Sequence, residues 1–323
     1  MAAIAETPIE GPAVWTAEKA TPEDGLVRLD ATALAEIEAV ATDLEHNPLP
    51  TEALRPSDYP MAQCEAVMDR VRVQLDDGVG FAIIDRLPLD RLSTETAKQI
   101  YWLLISHLGQ TVAQKWNGLM VYDVTDTGQE DIAGSGVRSS KTSDGQYFHT
   151  DNSFNLPPEF VALLCLQKSR TGGESGVVSF QTAYNILLKE NPDAVARLSQ
   201  PFHFDRQHEH APGDEALSSS PVFKRTDNGV QVQFSRRLIQ HGYKLAEGGM
   251  DAHTQAAVRA LCDIMERPNM ARSFMFEPGQ IQIVNNRTMG HRRTAFEDWP
   301  EAERKRHLVR LWVRRQGRPT YFG

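Results

Sequence analysis

The order of the predicted elements indicates an α+β protein whose strands form an antiparallel sandwich or barrel. Helices dominate the first third of the 323-residue chain, and most of the strands come later. Two apolar runs within residues 222–234 flank Asn228-Gly229, and an Asn-Gly pair between such runs is the strongest short signal for a hairpin. The chain shows no regular alternation of strand and helix, which argues against a doubly wound parallel sheet.

The first 75 residues are predicted to form an N-terminal arm and helices that pack on the core. Residues 1–28 contain Pro, Glu, Thr and Ala without a firm period, as expected for an arm. Asp30 can cap a helix whose apolar residues recur at helical spacing, and a second helix begins near Tyr59. Residues 76–323 are predicted to form the main domain, which is continuous with this N-terminal part in one structural unit.

Short strands, helices and two polar segments follow one another through the main domain. The predicted elements are, in order, a strand at 78–84, a helix at 94–109, a strand at 120–124, a loop at 133–146, strands at 160–166 and 177–180, a helix from 191, an irregular segment at 203–220, a hairpin at 222–234, a helix at 256–265 and strands at 273–276 and 280–284. The two polar segments are expected to lie over a site, because binding residues concentrate on loops that a rigid scaffold holds.

Composition restricts the partners of the chain. A formal net charge of −9 and a pI near 5.6 argue against nucleic acid or an anionic membrane surface as the main partner. No apolar run is long enough to span a bilayer, and residues 1–6 lack the features of a signal peptide, so a cytoplasmic location is expected. The three cysteines are widely separated, which favours reduced thiols over disulfides or a zinc site. The sequence does not determine the oligomeric state, and a homo-oligomer is one of the possibilities.

A His-x-Asp motif lies among the aromatic residues of positions 147–154. In extended backbone, side chains two positions apart share a face, so His149 and Asp151 can bind one ion while Thr150 points away. One imidazole nitrogen and one carboxylate oxygen are two of the three ligands of an iron(II) facial triad, and a distant second histidine would complete it. Considered alone, the motif has a simpler interpretation, because most such pairs are surface or hydrogen-bonding residues.

The C-terminal region offers a third ligand and two cations. His291 follows a predicted strand, in a setting like that of His149. In the last strand, a period of two places Arg306 and Arg310 on one face, together with Leu308 and Trp312. Arginines on a buried face need anionic partners, and a guanidinium suits a carboxylate. The spacing alone does not distinguish an acid of the protein itself from a bound carboxylate.

Five motifs, taken in this order, resemble the taurine dioxygenase and clavaminate synthase-like (TauD/TfdA) family. They are His149-Thr150-Asp151, Gly172-Gly173-Glu174-Ser175, Pro278-Gly279-Gln280 with Asn285-Asn286-Arg287, His291, and Arg306-His307-Leu308 with Arg310. The resemblance covers residues 75 to 320 with family-like gaps. It implies an Fe(II)- and 2-oxoglutarate-dependent dioxygenase on a double-stranded β-helix, the cupin-like jelly roll, with flanking helices.

The resemblance also implies roles for individual residues. His149, Asp151 and His291 are expected to be the iron ligands. Arg306 is expected to pair with the distal carboxylate of 2-oxoglutarate, and Ser175 is expected to support that carboxylate through its hydroxyl group. Beyond the metal centre, no catalytic acid or base is expected.

The reaction that the resemblance implies uses Fe(II), 2-oxoglutarate and O2. It oxidises an unactivated C–H bond of a small polar substrate, amino-acid-like or carboxylate-bearing, by hydroxylation, and releases succinate and CO2. Arg310 is similar to an arginine that meets an anionic group of the substrate, and Asn152 and Arg206 are weaker substrate candidates. Related halogenases replace the carboxylate ligand with a small residue, so the presence of Asp151 argues against halogenation.

Other interpretations remain open at the level of sequence. Desaturation or ring closure would begin with the same C–H abstraction. A jelly-roll protein without catalysis would hold a carboxylate ligand on the arginine face, and a zinc hydrolase would need a general base near the metal. A rival metal site can be drawn from His203, His208 and His210, although loop histidines are more often not ligands. Arg236 and Arg237 are interpreted as solvated charges.

Overall fold

The computed structural model describes residues 7–130, 136–227, 229–246 and 248–322. The helices are α1 (Ala31–His46), α2 (Ala62–Asp76), α3 (Thr94–Ser106), α4 (Phe180–Glu190), α5 (Pro192–Leu198), α6 (Arg236–Leu245) and α7 (Ala252–Met265). The strands are β1 (Leu26–Arg28), β2 (Phe81–Asp85), β3 (Gln110–Val112), β4 (Tyr122–Val124), β5 (Phe160–Gln167), β6 (Thr171–Gly172), β7 (Ser175–Ser179), β8 (Pro201–Asp205), β9 (Leu217–Pro221), β10 (Phe223–Thr226), β11 (Gly229–Val232), β12 (Ala271–Phe274), β13 (Ile281–Asn285), β14 (Met289–Arg293), β15 (Phe296–Glu297) and β16 (His307–Arg314).

Two sheets form the jelly-roll core. The larger sheet has the order β1-β2-β13-β5-β16-β3, with β4 also paired to β16, and the smaller sheet has the order β12-β7-β14. Apart from the parallel β1–β2 pair, all of these pairs are antiparallel. Buried side chains of both sheets, such as Val284 on β13 and Val177 on β7, belong to one apolar cluster. The α+β class and the jelly-roll core are therefore confirmed.

The N-terminal helices cover the other face of the larger sheet. Helix α1 begins where the Asp30 carboxylate accepts the backbone N–H groups of Thr32 and Ala33, so the predicted cap is confirmed. The apolar faces of α1, α2 and α3 join outward-facing residues of β2, β5, β13 and β16 in a second apolar cluster. This helical layer shields one side of the sheet whose other side carries the site.

Strand β16 alternates as the sequence predicts. Val309, Leu311 and Val313 belong to the cluster shared with the helices. Leu308, Arg310 and Trp312 line a cavity on the opposite side, inside the jelly roll. The period of two thus separates the apolar face of this strand from the face that carries the arginines.

Two sequence predictions are wrong, and one helix was not predicted. Residues 203–220 include the paired strands β8 and β9, although Leu-Ser-Ser-Ser-Pro of β9 has no apolar alternation to reveal a strand. Helix α4 begins at Phe180, which the sequence analysis assigns to a strand. Helix α6 escaped prediction because it buries only Leu238, Ile239 and Gly242. The stripe is periodic, but the segment is short and mostly polar, so its arginines were interpreted as solvated charges.

Three sequence predictions fall partly outside the described residues, one of them the N-terminal arm, whose residues 1–6 are not described. Strands β10 and β11 pair in antiparallel orientation, which confirms the hairpin, but Asn228 of its turn is not among the described residues. The same holds for residues 133–135 of the loop expected at 133–146. Within the described ranges, no helix has both the length and the apolar character needed to cross a bilayer.

Candidate metal centre

The structure brings His149, Asp151 and His291 together. His149 forms an isolated antiparallel bridge with His291 of β14, and Asp151 lies in the turn that follows His149. One possible ligand atom from each residue lies within 4.8 Å of the corresponding atoms of the other two. Oδ1 of Asp151 is 3.6 Å from Nε2 of His149 and 3.5 Å from Nε2 of His291. Residues 142 positions apart in the chain therefore meet at one point.

The two imidazoles present Nε2 to the shared point. Nδ1 of His149 lies 2.8 Å from the carbonyl oxygen of Tyr147, and an N–H donated there leaves a lone pair on Nε2. Burial and the proximity of His149 lower the pKa of His291, which favours its neutral form. A neutral imidazole is the form that binds a metal. Nδ1 of His291 is buried and has no partner among the described residues.

The second carboxylate oxygen of Asp151 faces away from the histidines. Oδ2 accepts the indole N–H of Trp312 at 2.7 Å and lies 3.0 Å from Nη1 of Arg310. Burial alone would raise the pKa of Asp151, but the charge of Arg310 and the proximity of both histidines hold that pKa well below its ordinary value. The carboxylate is therefore ionised and ready to bind a cation.

A buried amide fixes the backbone of this carboxylate. Oδ1 of Asn286 accepts the N–H of Asp151 at 2.7 Å, and Nδ2 of Asn286 donates to the carbonyl oxygens of Asp151 and Pro158 at 3.0 and 3.1 Å. Asn286 is completely buried. In the sequence, Asn286 stands out only as part of the Asn285-Asn286-Arg287 motif. Its position directly after a buried strand was the available signal, but that position does not indicate which residue its side chain contacts.

Arg306 is a buried cation beside the metal ligands. Among the described residues, no carboxylate forms an ion pair with its guanidinium, and Nη1 has no hydrogen-bond partner. Burial lowers the pKa of Arg306 to about 10, so the side chain stays charged at neutral pH. The residue lines a cavity of about 310 Å³ that also contains His149, Asp151 and His291, the three candidate metal ligands. An unpaired buried guanidinium fits a bound carboxylate better than it fits an apolar core.

Ser175 lies in the same cavity and contacts a residue that the sequence analysis missed. Its hydroxyl group donates to Oε1 of Gln282 at 2.7 Å. Gln282 is fully buried on β13, and its Nε2 has no partner in the part of the chain that the structure describes. The side chain of Gln282 therefore fixes the direction of the Ser175 hydroxyl.

The three predicted substrate residues have different surroundings. Arg310 lines the cavity, but Nη1 contacts Asp151 and Nε donates to Oε1 of Gln114 at 2.7 Å, so only Nη2 lacks a partner among the described residues. Asn152 also lines the cavity, and its Nδ2 donates to the carbonyl of Leu156. Arg206 is not a lining residue, and its guanidinium carbon lies 5.5 Å from the ring of Phe322.

The cavity contains further arginines that the sequence analysis did not select. Arg293 is buried, donates to the carbonyls of Thr142 and Asp144, and has a pKa that burial lowers to about 9. Arg138 is buried and pairs with Glu209 at 2.9 Å. Arg236 and Arg237, interpreted above as solvated charges, are half-buried lining residues in the first turn of α6. Sequence reasoning missed these two lining residues because it did not predict α6.

The rival histidine site does not form. Among the described residues, only His149, Asp151 and His291 make a group of three His, Cys, Asp or Glu side chains that could share an ion. The His203 ring packs 5.1 Å from the ring of Tyr243, and Nδ1 of His210 lies 3.0 Å from the carbonyl of Ala211.

Two neutral nitrogens and one ionised oxygen suit iron(II), because this donor set is the 2-His-1-carboxylate facial triad and leaves further coordination positions open. The unpaired guanidinium of Arg306 suits the distal carboxylate of 2-oxoglutarate in the same cavity. The fold and the site thus define a jelly-roll protein with a mononuclear iron centre of the oxygenase type.

Comparisons with known proteins agree with this class. The model of the family described as taurine catabolism dioxygenase TauD, TfdA family matches residues 46–312. The chain belongs to this family and is an Fe(II)- and 2-oxoglutarate-dependent dioxygenase.

One similar protein and two similar structures bear on the details. FR-33289 synthase from Streptomyces rubellomurinus (strain ATCC 31215) is 27% identical over 319 residues, which cover 97% of this chain and 92% of that protein. Asparagine oxygenase in complex with Fe(II), 2S,3S-3-hydroxyasparagine and succinate has a TM-score of 0.70 and 21% identity, covering 90% of this chain and 93% of that one. The non-heme iron oxygenase OrfP in complex with Fe, succinate and (3S)-hydroxy-L-Arg has a TM-score of 0.66 and 15% identity, covering 92% and 95%.

Proposed function

We propose that this dioxygenase hydroxylates an unactivated C–H bond of a small amino-acid-like or carboxylate-bearing substrate. The observation that carries this proposal is the charge of the cavity, whose lining includes seven arginines but only two aspartates. One of those aspartates is the metal ligand Asp151. Arg138, Arg292 and Arg310 each pair with a carboxylate of the protein, but the lining still carries an excess of positive charge, which favours an anionic substrate over a neutral apolar one.

In this proposal, separate residues bind the iron and the co-substrate. His149, Asp151 and His291 hold the iron, and Arg306 and Ser175 hold the distal carboxylate of 2-oxoglutarate. With Fe(II), 2-oxoglutarate and O2 bound, the centre supplies the oxidising power to break a C–H bond, and 2-oxoglutarate leaves as succinate and CO2. The protein positions the substrate and keeps bulk water away from the reacting carbon.

Substrate recognition is assigned to the remaining cations of the lining. Arg236 and Arg237 occupy the first turn of α6, where N–H groups and the positive end of the helix also favour an anion. Nη2 of Arg310 and the side chain of Asn152 are further contacts close to the metal. Arg206 keeps a weaker assignment, because contact with substrate would require movement of its segment toward the cavity.

Similar proteins support the amino-acid-like substrate. The asparagine oxygenase structure contains a hydroxylated asparagine, and the OrfP structure contains a hydroxylated arginine. Both structures also contain succinate, the product expected from 2-oxoglutarate.

Succinate release tests the proposal. Purified protein with Fe(II), ascorbate and 2-oxoglutarate is mixed with single amino acids, N-acyl amino acids and small di-acids, and succinate is measured against O2 consumption. We expect one of these compounds to stimulate succinate formation and to gain one oxygen atom in mass spectrometry. If succinate forms at a basal rate but no anionic compound stimulates it, the substrate class is wrong.

A pair of histidine variants controls the assay. His291→Ala should abolish succinate formation, because it removes a metal ligand. His46→Ala is the matched control, since His46 ends α1 on the exposed surface.

We also propose that residues 1–75 and 76–323 act as one unit, that the protein is cytoplasmic, and that its partners are small molecules rather than nucleic acid or membrane.

A further inference from the structure

We propose that Trp312 is a positioning residue that, together with Arg310, keeps Asp151 a one-oxygen ligand of the iron. The inference rests on the oxygenase assignment and concerns a contact that the assignment does not require. Oδ1 of Asp151 faces the two imidazoles, while Oδ2 is 2.7 Å from the indole nitrogen of Trp312. Oδ1 therefore faces the metal site, whereas Oδ2 accepts a hydrogen bond from β16.

Oδ2 is engaged by two donors from one strand. The indole N–H of Trp312 and Nη1 of Arg310 both approach it, and these residues are two positions apart on the inner face of β16. A carboxylate oxygen that accepts a hydrogen bond and faces a guanidinium is less available to a metal ion, because the hydrogen bond occupies a lone pair and the charge of Arg310 repels a cation. Rotating the carboxylate to chelate an ion through both oxygens would break the buried hydrogen bond from Trp312 and separate the buried ion pair with Arg310.

Both donors are held rigidly. Trp312 is 2% exposed, and its backbone pairs with Val112 of β3 on one side and Val161 of β5 on the other. The guanidinium of Arg310 is fixed through Nε by the side-chain oxygen of Gln114, whose own Nε2 returns to the Arg310 carbonyl at 2.7 Å. The position of Oδ2 is therefore set by the register of the larger sheet and not by a flexible loop.

The consequence concerns coordination number. A facial triad leaves three positions of an octahedral ion open, and the reaction needs all three for the co-substrate and oxygen. A carboxylate that chelates through two oxygens would fill one of them. Trp312 prevents this through its hydrogen bond to Asp151, and the ion pair of Arg310 with the same oxygen has the same effect. The substrate contact predicted for Arg310 is thereby narrowed to Nη2.

Trp312→Phe removes the N–H donor and keeps an aromatic ring. The variant and the wild type are loaded with Co(II), whose visible absorption depends on coordination number and geometry, and the affinity is measured by anaerobic titration. We expect the spectrum of the variant to differ from that of the wild type and the affinity for Co(II) to fall roughly 10- to 100-fold, the usual range for partners of metal ligands. An unchanged spectrum overturns the proposal, whatever the affinity does.

Trp102→Phe is the matched control. The indole N–H of Trp102 donates to the carbonyl of Leu54 at 3.1 Å in the helical layer, so the variant loses an equally buried hydrogen bond far from the cavity. It should lose stability comparable to Trp312→Phe and keep the Co(II) spectrum of the wild type. A Trp102→Phe spectrum that changes in the same way would show that the effect is general loosening, which contradicts the proposal.

The wild type provides a second measurement in case Trp312→Phe does not fold. The chain contains five tryptophans. With indole-15N labelling, titration of Zn(II) into the metal-free protein should shift one indole N–H signal strongly, because the charge of its acceptor changes. If all five signals stay in place while zinc binds, the contact does not respond to the metal and the proposal fails.

Discussion

His149 and His291 are joined through their backbones as well as through the metal site. Each donates its amide N–H to the carbonyl oxygen of the other, at 3.1 and 3.0 Å, and their ring centroids lie 4.5 Å apart. The separation of the two imidazoles is therefore built into the folded chain. A site prepared in this way loses little conformational entropy when the ion binds.

Asn286→Ala should weaken both the fold and the metal site. It leaves the buried N–H of Asp151 and two carbonyl groups without their partner, so we expect the free energy of unfolding to fall by about 3 kcal/mol. Urea denaturation measures this loss, and titration with Co(II) should show weaker binding. Asn285→Ala is the neighbouring control, because its amide bonds to Leu75 on the side away from the metal. A normal metal affinity in Asn286→Ala would contradict the view that Asn286 positions Asp151 for metal binding.

Arg306→Gln should weaken the binding of 2-oxoglutarate. Loss of a buried charged partner costs about 2 to 4 kcal/mol, which corresponds to a roughly 30- to 700-fold higher dissociation constant. Anaerobic calorimetry on the metal-loaded protein measures it. Arg314→Gln, at the end of β16, is the control, since Arg314 is buried but donates to the carbonyls of Thr320, Leu156 and Tyr321. Equal loss in both variants would show that the charge of Arg306 is not specifically used.

Glu209→Gln should destabilise the segment between β8 and β9, which contains Glu209. Glu209 is buried, pairs with Arg138 at 2.9 Å and accepts the backbone N–H of Trp116 at 2.8 Å. Leaving Arg138 without its carboxylate should lower the free energy of unfolding by about 3 kcal/mol and raise KM for the substrate more than KM for 2-oxoglutarate. Glu215→Gln changes an exposed carboxylate of the same segment and should alter neither value. Equal changes in both KM values would argue against a specific role in substrate binding.

Asp123→Asn should reveal a stabilising carboxylate at the edge of the larger sheet. The hydrogen bond from His307 and the contact with Lys98 lower the pKa of Asp123 to about 2. A lowered pKa stabilises the fold above the ordinary pKa of the carboxyl group, and this contribution disappears as the pH falls from about 4 to 2.

For this partly exposed group we expect a difference of about 1 kcal/mol between wild type and variant at pH 7, which closes toward pH 2. Urea denaturation at several pH values measures this difference. A difference that stays constant over this range would mean that the ionisation of Asp123 is not responsible.

Short-range patterns predict that His149, Asp151 and His291 can share one point and that β16 alternates between two faces. The His-x-Asp spacing, the histidine after β13 and the period of two in the last strand are local, and all three agree with the structure. The contact between Trp312 and Asp151 was not predictable, because it joins residues 161 positions apart and depends on the register of several strands. Arg236 and Arg237 were missed as lining residues because α6 was not predicted.

The alternation of β16 makes this strand intolerant of insertions and deletions. Arg306 precedes the strand, and Arg310 and Trp312 lie within it on the face toward the cavity, while Val309 and Leu311 face the helices. Adding or removing one residue before Arg310 would turn the later side chains to the opposite face. Valine and leucine would then line the cavity, and a guanidinium would enter the apolar layer beneath α1–α3. During evolution, changes of length should therefore accumulate in the segments around the cavity and be excluded from residues 306–312.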